Sequence, residues 1–406
     1  MSGGTIKAKA RRKLPAFALC LTPVYFFLPA IRTGHAQKLP RPIPVDGVIC
    51  DLCNPNRVRR NEAATPPGTT KIPRAIPELV DSANNPDPAV RREIMTALEK
   101  LADAKALPAF VKLCGDPEKD IRERCIRGIV GLCLPKDGGL SVTLNKVANF
   151  FNPWADEWAD LAVEPGTAVD PTAVSALAGR LRDPDEGIRA KAARALGILK
   201  GRAAVSALVQ TLHNDNSSNV RFESIRSLRK ISDATMDREL FIFSGHDDPK
   251  LRNEAIFTLG RFRFREAVTE LERRFEAETA APAKDQDNTY RQILMGAISS
   301  IGERRSECLF LKKLQSKDDV IRQHAFAGLA RTGNTSAVTD VSRDDLSSKH
   351  PKVKVAQAYA LFQKGRKEYL DEIARGLDSR RTNEESRQYL HELTPTELPE
   401  PFAEVS

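Results

Sequence analysis

The chain has 406 residues, 41% hydrophobic and 29% charged, which is too apolar for a disordered polymer and long enough to bury a large core. Only 6% are aromatic, so small and medium side chains are expected to build that core, as they do at helix interfaces. The formal charge of +9 invites a nucleic-acid reading, but the N-terminal residues carry most of the excess.

Lys7, Lys9, Arg11, Arg12 and Lys13 precede an uncharged, mostly apolar run from Leu14 to Ile31, and Gly34-His35-Ala36 puts small residues at both cleavage-determining positions. Residues 1–36 therefore read as a secretory signal peptide cut after Ala36, which predicts a periplasmic or secreted protein. An uncleaved anchor is the alternative, since the run is near the lower limit of about 18 residues for a spanning helix, but Pro15, Pro23 and Pro29 interrupt it. Cys20 follows Phe17, Ala18 and Leu19, a poor context for lipid attachment. The leader holds six of the 63 Lys and Arg and none of the 54 acidic residues, leaving a net +3. Neither nucleic acid nor a stable membrane anchor is then expected.

Residues 37–72 are rich in proline and have no helical period, so they predict an extended arm. Within it stands Cys50-Asp51-Leu52-Cys53. Two thiols at this spacing can form a disulfide, a redox pair or half of a zinc site. No second pair with ligand spacing is evident and Asn54 excludes haem attachment, so a disulfide between Cys50 and Cys53 is preferred if export is oxidising.

From residue 87 one pattern recurs: a polar turn, an aliphatic residue, a basic residue, then small and apolar positions at helical spacing. The basic position falls at Arg91, Arg122, Arg189, Arg221, Arg252, Arg291, Arg322 and Lys354, at intervals of 31, 67, 32, 31, 39, 31 and 32. Just before it stand Val90, Ile121, Ile188, Val220, Leu251, Tyr290, Ile321 and Val353; seven after it stand Leu98, Ile129, Leu196, Leu228, Leu259, Ile298, Leu329 and Leu361. Positions three and six after it are mostly small, as in Ala192 with Ala195. These spacings make one helical stripe, and a shorter amphipathic segment precedes each turn, for example Ala106 to Cys114. Each unit is thus predicted to be two antiparallel helices, which bury their apolar sides only by stacking. The fold expected over residues 73–394 is an all-α solenoid of about eight to nine helix pairs.

Asp87-Pro88-Ala89-Val90-Arg91, Asp183-Pro184-Asp185-Glu186-Gly187-Ile188-Arg189 and Asp248-Pro249-Lys250-Leu251-Arg252 resemble the HEAT repeat, in particular its short phycobilisome-lyase-like form. The resemblance covers about residues 74 to 394 and implies a fold, not an activity. Some units depart from it: His213 to Val220 lacks the proline, and Lys354 replaces arginine. The recurring residues have an architectural explanation. Proline suits the first helical position, aspartate caps the helix, and arginine is expected to bond aspartate or carbonyl groups of the adjacent unit.

Two insertions break the period. Residues 134–172 contain Phe150, Phe151, Trp154 and Trp158, the last two being the only tryptophans. They are candidates for partner recognition, although packing of Trp154 and Trp158, four apart, onto the rod is the preferred explanation. The second, 278–287, reads as a polar surface loop. Residues 395–406 form an acidic, proline-containing tail. Cys125 and Cys133 are expected in the core as small hydrophobes.

Catalytic constellations are absent from this reading. Deoxyhypusine hydroxylase shares the scaffold but carries several His-Glu pairs for iron; here there is only His391-Glu392. Phycobilin lyases also use such repeats, but on cytoplasmic pigment proteins. No phosphate loop, nucleophile elbow or His-Glu-x-x-His helix is found, so no cofactor or metal is expected. The sequence predicts an exported, non-catalytic scaffold for protein partners; the alternatives are a thiol-redox or metal-linked accessory acting through Cys50 and Cys53, or a lyase-like enzyme.

Overall fold

The computed structural model describes residues 76–134, 162–163, 166–231, 236–282, 284–333 and 348–393. The leader, the arm with Cys50 and Cys53, the aromatic residues Phe150, Phe151, Trp154 and Trp158, and the tail 395–406 lie outside the described residues. Among the described residues there are 17 helices and no strand. They fall into pairs: α1 (Ile76–Asp81) and α2 (Pro88–Leu101), α3 (Leu107–Leu113) and α4 (Lys119–Cys133), α5 (Pro171–Gly179) and α6 (Glu186–Ile198), α7 (Val205–Asn214) and α8 (Ser218–Ile231). The series continues with α9 (Asp237–Phe243) and α10 (Pro249–Phe262), α11 (Val268–Ala280) and α12 (Asn288–Ile301), and α13 (Glu307–Lys313) and α14 (Asp319–Thr332). Then follow α15 (Pro351–Gln363), α16 (Leu370–Arg375) and α17 (Asn383–Glu392).

The second helices pack in one series, α2 on α4, α4 on α6, α6 on α8 and onward to α14 on α15, and α16 and α17 close against α15. The column seven residues after the basic position explains why: Leu98, Ile129, Leu196, Leu228, Leu259, Ile298, Leu329 and Leu361 are all 0% exposed. One hydrophobic core runs from Ile76 to Leu393. The described residues form an all-α solenoid, because no helix pair could hide that stripe alone.

Starts and stops of the second helices recur with the same register. Asp87, Asp185, Asp248, Asp287 and Asp318 each accept a hydrogen bond from a first-turn amide of the helix that follows, satisfying donors the helix cannot pair itself. At the other end, the position eleven after the basic residue is left-handed, at Ala102, Lys200, Arg263, Gly302, Gly333 and Gly365. That conformation ends a helix by turning the chain away from its axis.

Size is matched across the core. A Cβ on Gly128 would lie 2.3 Å from the Phe110 ring, and one on Gly328 would lie 2.5 Å from Phe310; phenylalanine on the first helix thus faces glycine on the second. Gly260 approaches the next helix so closely that a Cβ would stand 2.7 Å from the Ala297 Cα.

Two expectations need correction. Asp-Pro does not always begin a helix. Pro88 and Pro249 occupy the first turn of α2 and α10, but Asp116-Pro117 and Asp183-Pro184 lie before α4 and α6, which start at Lys119 and Glu186. There the aspartate serves the neighbouring repeat instead. The segment 278–287 is also not wholly loop: α11 runs to Ala280, and Gln286 Nε2 donates to the carbonyls of Thr279 (3.1 Å) and Ala281 (2.8 Å), closing the lengthened helix.

Candidate interaction surface

The basic column forms a ladder at the N-terminal ends of the second helices. Arg91 donates from Nε and Nη2 to Asp116 at 2.5 and 2.9 Å, and from Nη1 to the carbonyls of Asn85 and Pro86. Arg122 does the same with Asp183 and with the carbonyls of Asp116 and Pro117. Arg189 repeats it with Asp215, Asp183 and Pro184. The carbonyls belong to the arginine's own turn and only the aspartate to the next unit, so each guanidinium ties one turn to its successor. These are bidentate pairs with little water around them: Arg122 and Asp183 side chains are 9% and 0% exposed.

A second line of charge crosses the middle of the same helices. Arg124 bonds Glu99 (2.7 Å), and Arg229 reaches Glu254 (3.3 Å); Arg194 joins Glu223 in the same way. In each pair the partners lie on successive second helices. Burial pushes the Glu254 carboxyl above its usual range, more than the Arg229 and Arg226 charges pull it down. Both lines join repeat to repeat, which is an architectural use of charge.

At the C-terminal end, two carboxylates fasten α17, Glu385 through Lys352 at 2.5 Å and Glu392 through a larger set. Glu392 accepts from Arg331 Nε and Nη2 at 2.8 and 3.0 Å, from Tyr359 Oη at 3.0 Å and from Gln388 at 3.1 Å; Arg263 lies 3.5 Å away. Burial works against the Glu392 charge, but Arg331 outweighs it and holds the carboxyl below its ordinary range. The chain's His-Glu pair is therefore split, with Glu392 locked in an internal ion pair and His391 exposed. Among the described residues, no group of three or more His, Cys, Asp or Glu is placed to hold a metal ion.

Cys125 sits in the core as expected, Cys133 sits at its edge, and Cys308 is exposed. Cys125 is buried and its thiol is raised well above the ordinary range, by burial first and then by contact with Cys114. Cys133 is half-buried, and burial pushes its thiol up to about 11. Such thiols stay protonated and act as packing groups. The proposed site residues Cys50, Cys53, Phe150, Phe151, Trp154 and Trp158 are outside the described residues, so the structure brings none of them together. The expected bond from arginine to an aspartate of the adjacent unit is present; what the sequence reading did not place is the column that supplies the aspartate. It stands six residues before Arg122, Arg189 and Arg221, at Asp116, Asp183 and Asp215, and its signal was an aspartate recurring at the repeat's own period.

Residues 52–129 and 162–229 match the family described as HEAT repeats. Those two stretches carry HEAT repeats. The matches stop at 229, but the helix pairing continues in the structure through α14, and α15 stacks on α14; the first match begins at 52, inside the segment read as an arm. No curated protein matches the chain. Among solved structures, an engineered protein is 17% identical, covering 79% of this chain and 98% of its own, with a TM-score of 0.37. The complex of CpcE and CpcF of phycocyanin lyase from Nostoc sp. PCC7120 is 17% identical over 74% of this chain and 98% of that one, with a TM-score of 0.30. Kap121p bound to Nup53p is 13% identical over 85% of this chain and 40% of that one, with a TM-score of 0.39. Overlaps this loose transfer no activity to the HEAT array.

Proposed function

We propose that this chain is an exported, non-catalytic scaffold whose stacked HEAT units hold a protein partner along their second helices. One observation supports it above others. In the first three rungs the charged groups that could be mistaken for catalytic ones are consumed in joining neighbours, as Arg91–Asp116, Arg122–Asp183 and Arg189–Asp215. What is left is a long, repetitive surface, the geometry that suits extended contact and not a closed pocket. The export half of the reading comes from the leader alone: the basic start, the apolar run and Gly34-His35-Ala36.

The test has two arms. N-terminal sequencing of the protein from its native envelope fraction should begin at Gln37, and a chain that retains Met1 there removes export. Crosslinking in that fraction, mapped by mass spectrometry, should place a reproducible partner on the second helices. Recovery of no partner removes the scaffold reading, and loss of the chain's effect in a Cys50→Ser, Cys53→Ser variant with partner contacts intact would favour the thiol-redox alternative.

A further inference from the structure

We infer that the N-terminal end of α8 and the turn between α9 and α10 form a carboxylate-binding site, and that its ligand is an acidic, extended segment of a partner protein. The inference rests on the scaffold reading and names the chemistry of the partner.

The site is a rung of the arginine ladder that lacks its acceptor. In the first three rungs the guanidinium edge formed by Nε and Nη2 is filled by Asp116, Asp183 or Asp215. In the fourth turn that column holds His246. The backbone N–H of Asp248 donates to His246 Nδ1 at 2.9 Å, so the neutral ring must carry its proton on Nε2. That nitrogen faces Arg221 Nη1 at 3.4 Å, and Nη1 is also a donor. Arg221 Nε is enclosed without a hydrogen-bond partner.

Three donors thus converge with no acceptor between them. Neighbouring carboxylates are engaged elsewhere: Asp215 with Arg189 and the Ser217 amide, Asp248 with Ser218 Oγ and the Lys250 amide. An enclosed donor without an acceptor is costly, and a carboxylate is the group that fits a guanidinium edge. Arg221 and His246 are half-buried, so a ligand from solvent reaches the open part of the pair; Nε itself is enclosed and is met only when the His246 ring turns aside.

The vacancy repeats along the rod, which is why a segment fits better than a single ion. Arg252 Nε and Arg291 Nε are also enclosed and unpartnered. Arg252 reaches Asp287 only at 3.9 Å and its side chain is 22% exposed, against 9% for Arg122. Six before Arg291 stands Asp285, but it is exposed and the Arg252 guanidinium lies instead over the Tyr290 ring at 4.1 Å; six before Arg322 is Ser316, so the rung above Arg291, whose Nη1 donates to Gln286, supplies no carboxylate. Packed helices lie roughly 8–10 Å apart. A proline-rich extended strand shows the same face every third residue, roughly 9 Å along. Glutamates three apart would therefore meet Arg221, Arg252 and Arg291 in turn.

The test measures fluorescence anisotropy of a labelled peptide of Glu-Pro-Pro triplets, and of its Gln-Pro-Pro counterpart, with the full chain. The glutamate peptide is expected to bind at least tenfold more tightly and to weaken as salt rises. His246→Asp restores an internal carboxylate, so it should weaken that binding at least tenfold and raise the melting temperature. Arg221→Gln, checked for folding by circular dichroism, should lose binding to the same degree. Equal affinity for the two peptides overturns the site. So does unchanged binding, or a lower melting temperature, in His246→Asp, and so does tighter binding of a single-stranded oligonucleotide than of the glutamate peptide. A native partner whose capture survives His246→Asp leaves the scaffold standing and removes this site; a glutamate peptide that binds when no native partner is captured does the reverse.

Discussion

Arg122 grips Asp183 with two hydrogen bonds, 2.7 and 3.0 Å, although the two residues are 61 positions apart. The pair spans the longest interruption of the period and keeps α4 and α6 neighbours, as if the insertion were not there. Asp183→Ala leaves a buried guanidinium without its counter-charge and should cost about 3–5 kcal/mol. Asp120→Ala breaks the pair with Arg92, whose side chains are 37% and 52% exposed, and should cost about 0–1 kcal/mol. Urea denaturation of both variants checks this; similar losses would mean the ladder carries no special weight.

Backbone geometry gives a pair of opposite expectations. Lys200 ends α6 at φ 48°, where a side chain is strained by about 1–2 kcal/mol, so Lys200→Gly should stabilise the protein by about 1 kcal/mol. Gly260→Ala should do the reverse and cost about 1–3 kcal/mol, because the added Cβ meets the Ala297 Cα at 2.7 Å and backbone cannot swing aside. Thermal melts of the two variants should move in opposite directions.

The fold was legible because its cause is periodic. A leucine or isoleucine every 31 residues or so, such as Leu196, Leu228 and Leu259, is a statement about burial that needs no coordinates. The arginine ladder was legible as a column, but its direction was not: sequence does not say that Arg189 takes carbonyls from its own turn and a carboxylate from the next. The vacant rung at Arg221 was invisible for a related reason. A lone histidine carries no repeat pattern, and the meaning of His246 lies in which aspartate it replaces. Glu392 shows the limit most plainly, since its partners Arg331 and Tyr359 lie 61 and 33 positions away and no local pattern links them.

His324 predicts a pH dependence. Burial, aided by the Arg331 and Lys352 charges and opposed by Asp318, pushes its pKa down from 6.5 to about 4. Between those values the unfolded chain binds a proton that the folded chain refuses, so stability is full above pH 6.5 and falls as the pH drops toward 4. The loss should be about 2 kcal/mol, allowing for the part of the residue that solvent reaches. Equilibrium unfolding at stepped pH checks it: His324→Gln should flatten the curve in that window, and an unchanged slope would count against the assignment.

Glu392 governs the end of the array. Among the described residues α17 is the last helix, and it covers α15 with Tyr389 stacked on Tyr359 at 4.5 Å. Glu392→Gln keeps the shape but leaves Arg331, a deeply buried cation, without its counter-charge. The expected cost is about 3 kcal/mol, and it should appear locally, as faster hydrogen exchange over residues 383–392 while α6 and α8 keep their protection. The Glu392 carboxyl is held below its ordinary value, so its contribution is present above about pH 4.5 and disappears as the pH falls through the lowered value. In Glu392→Gln that acid step should vanish, while the separate loss from His324 between pH 6.5 and 4 persists. Uniform loss of protection along the whole array would instead make the end helix an inseparable part of one cooperative unit.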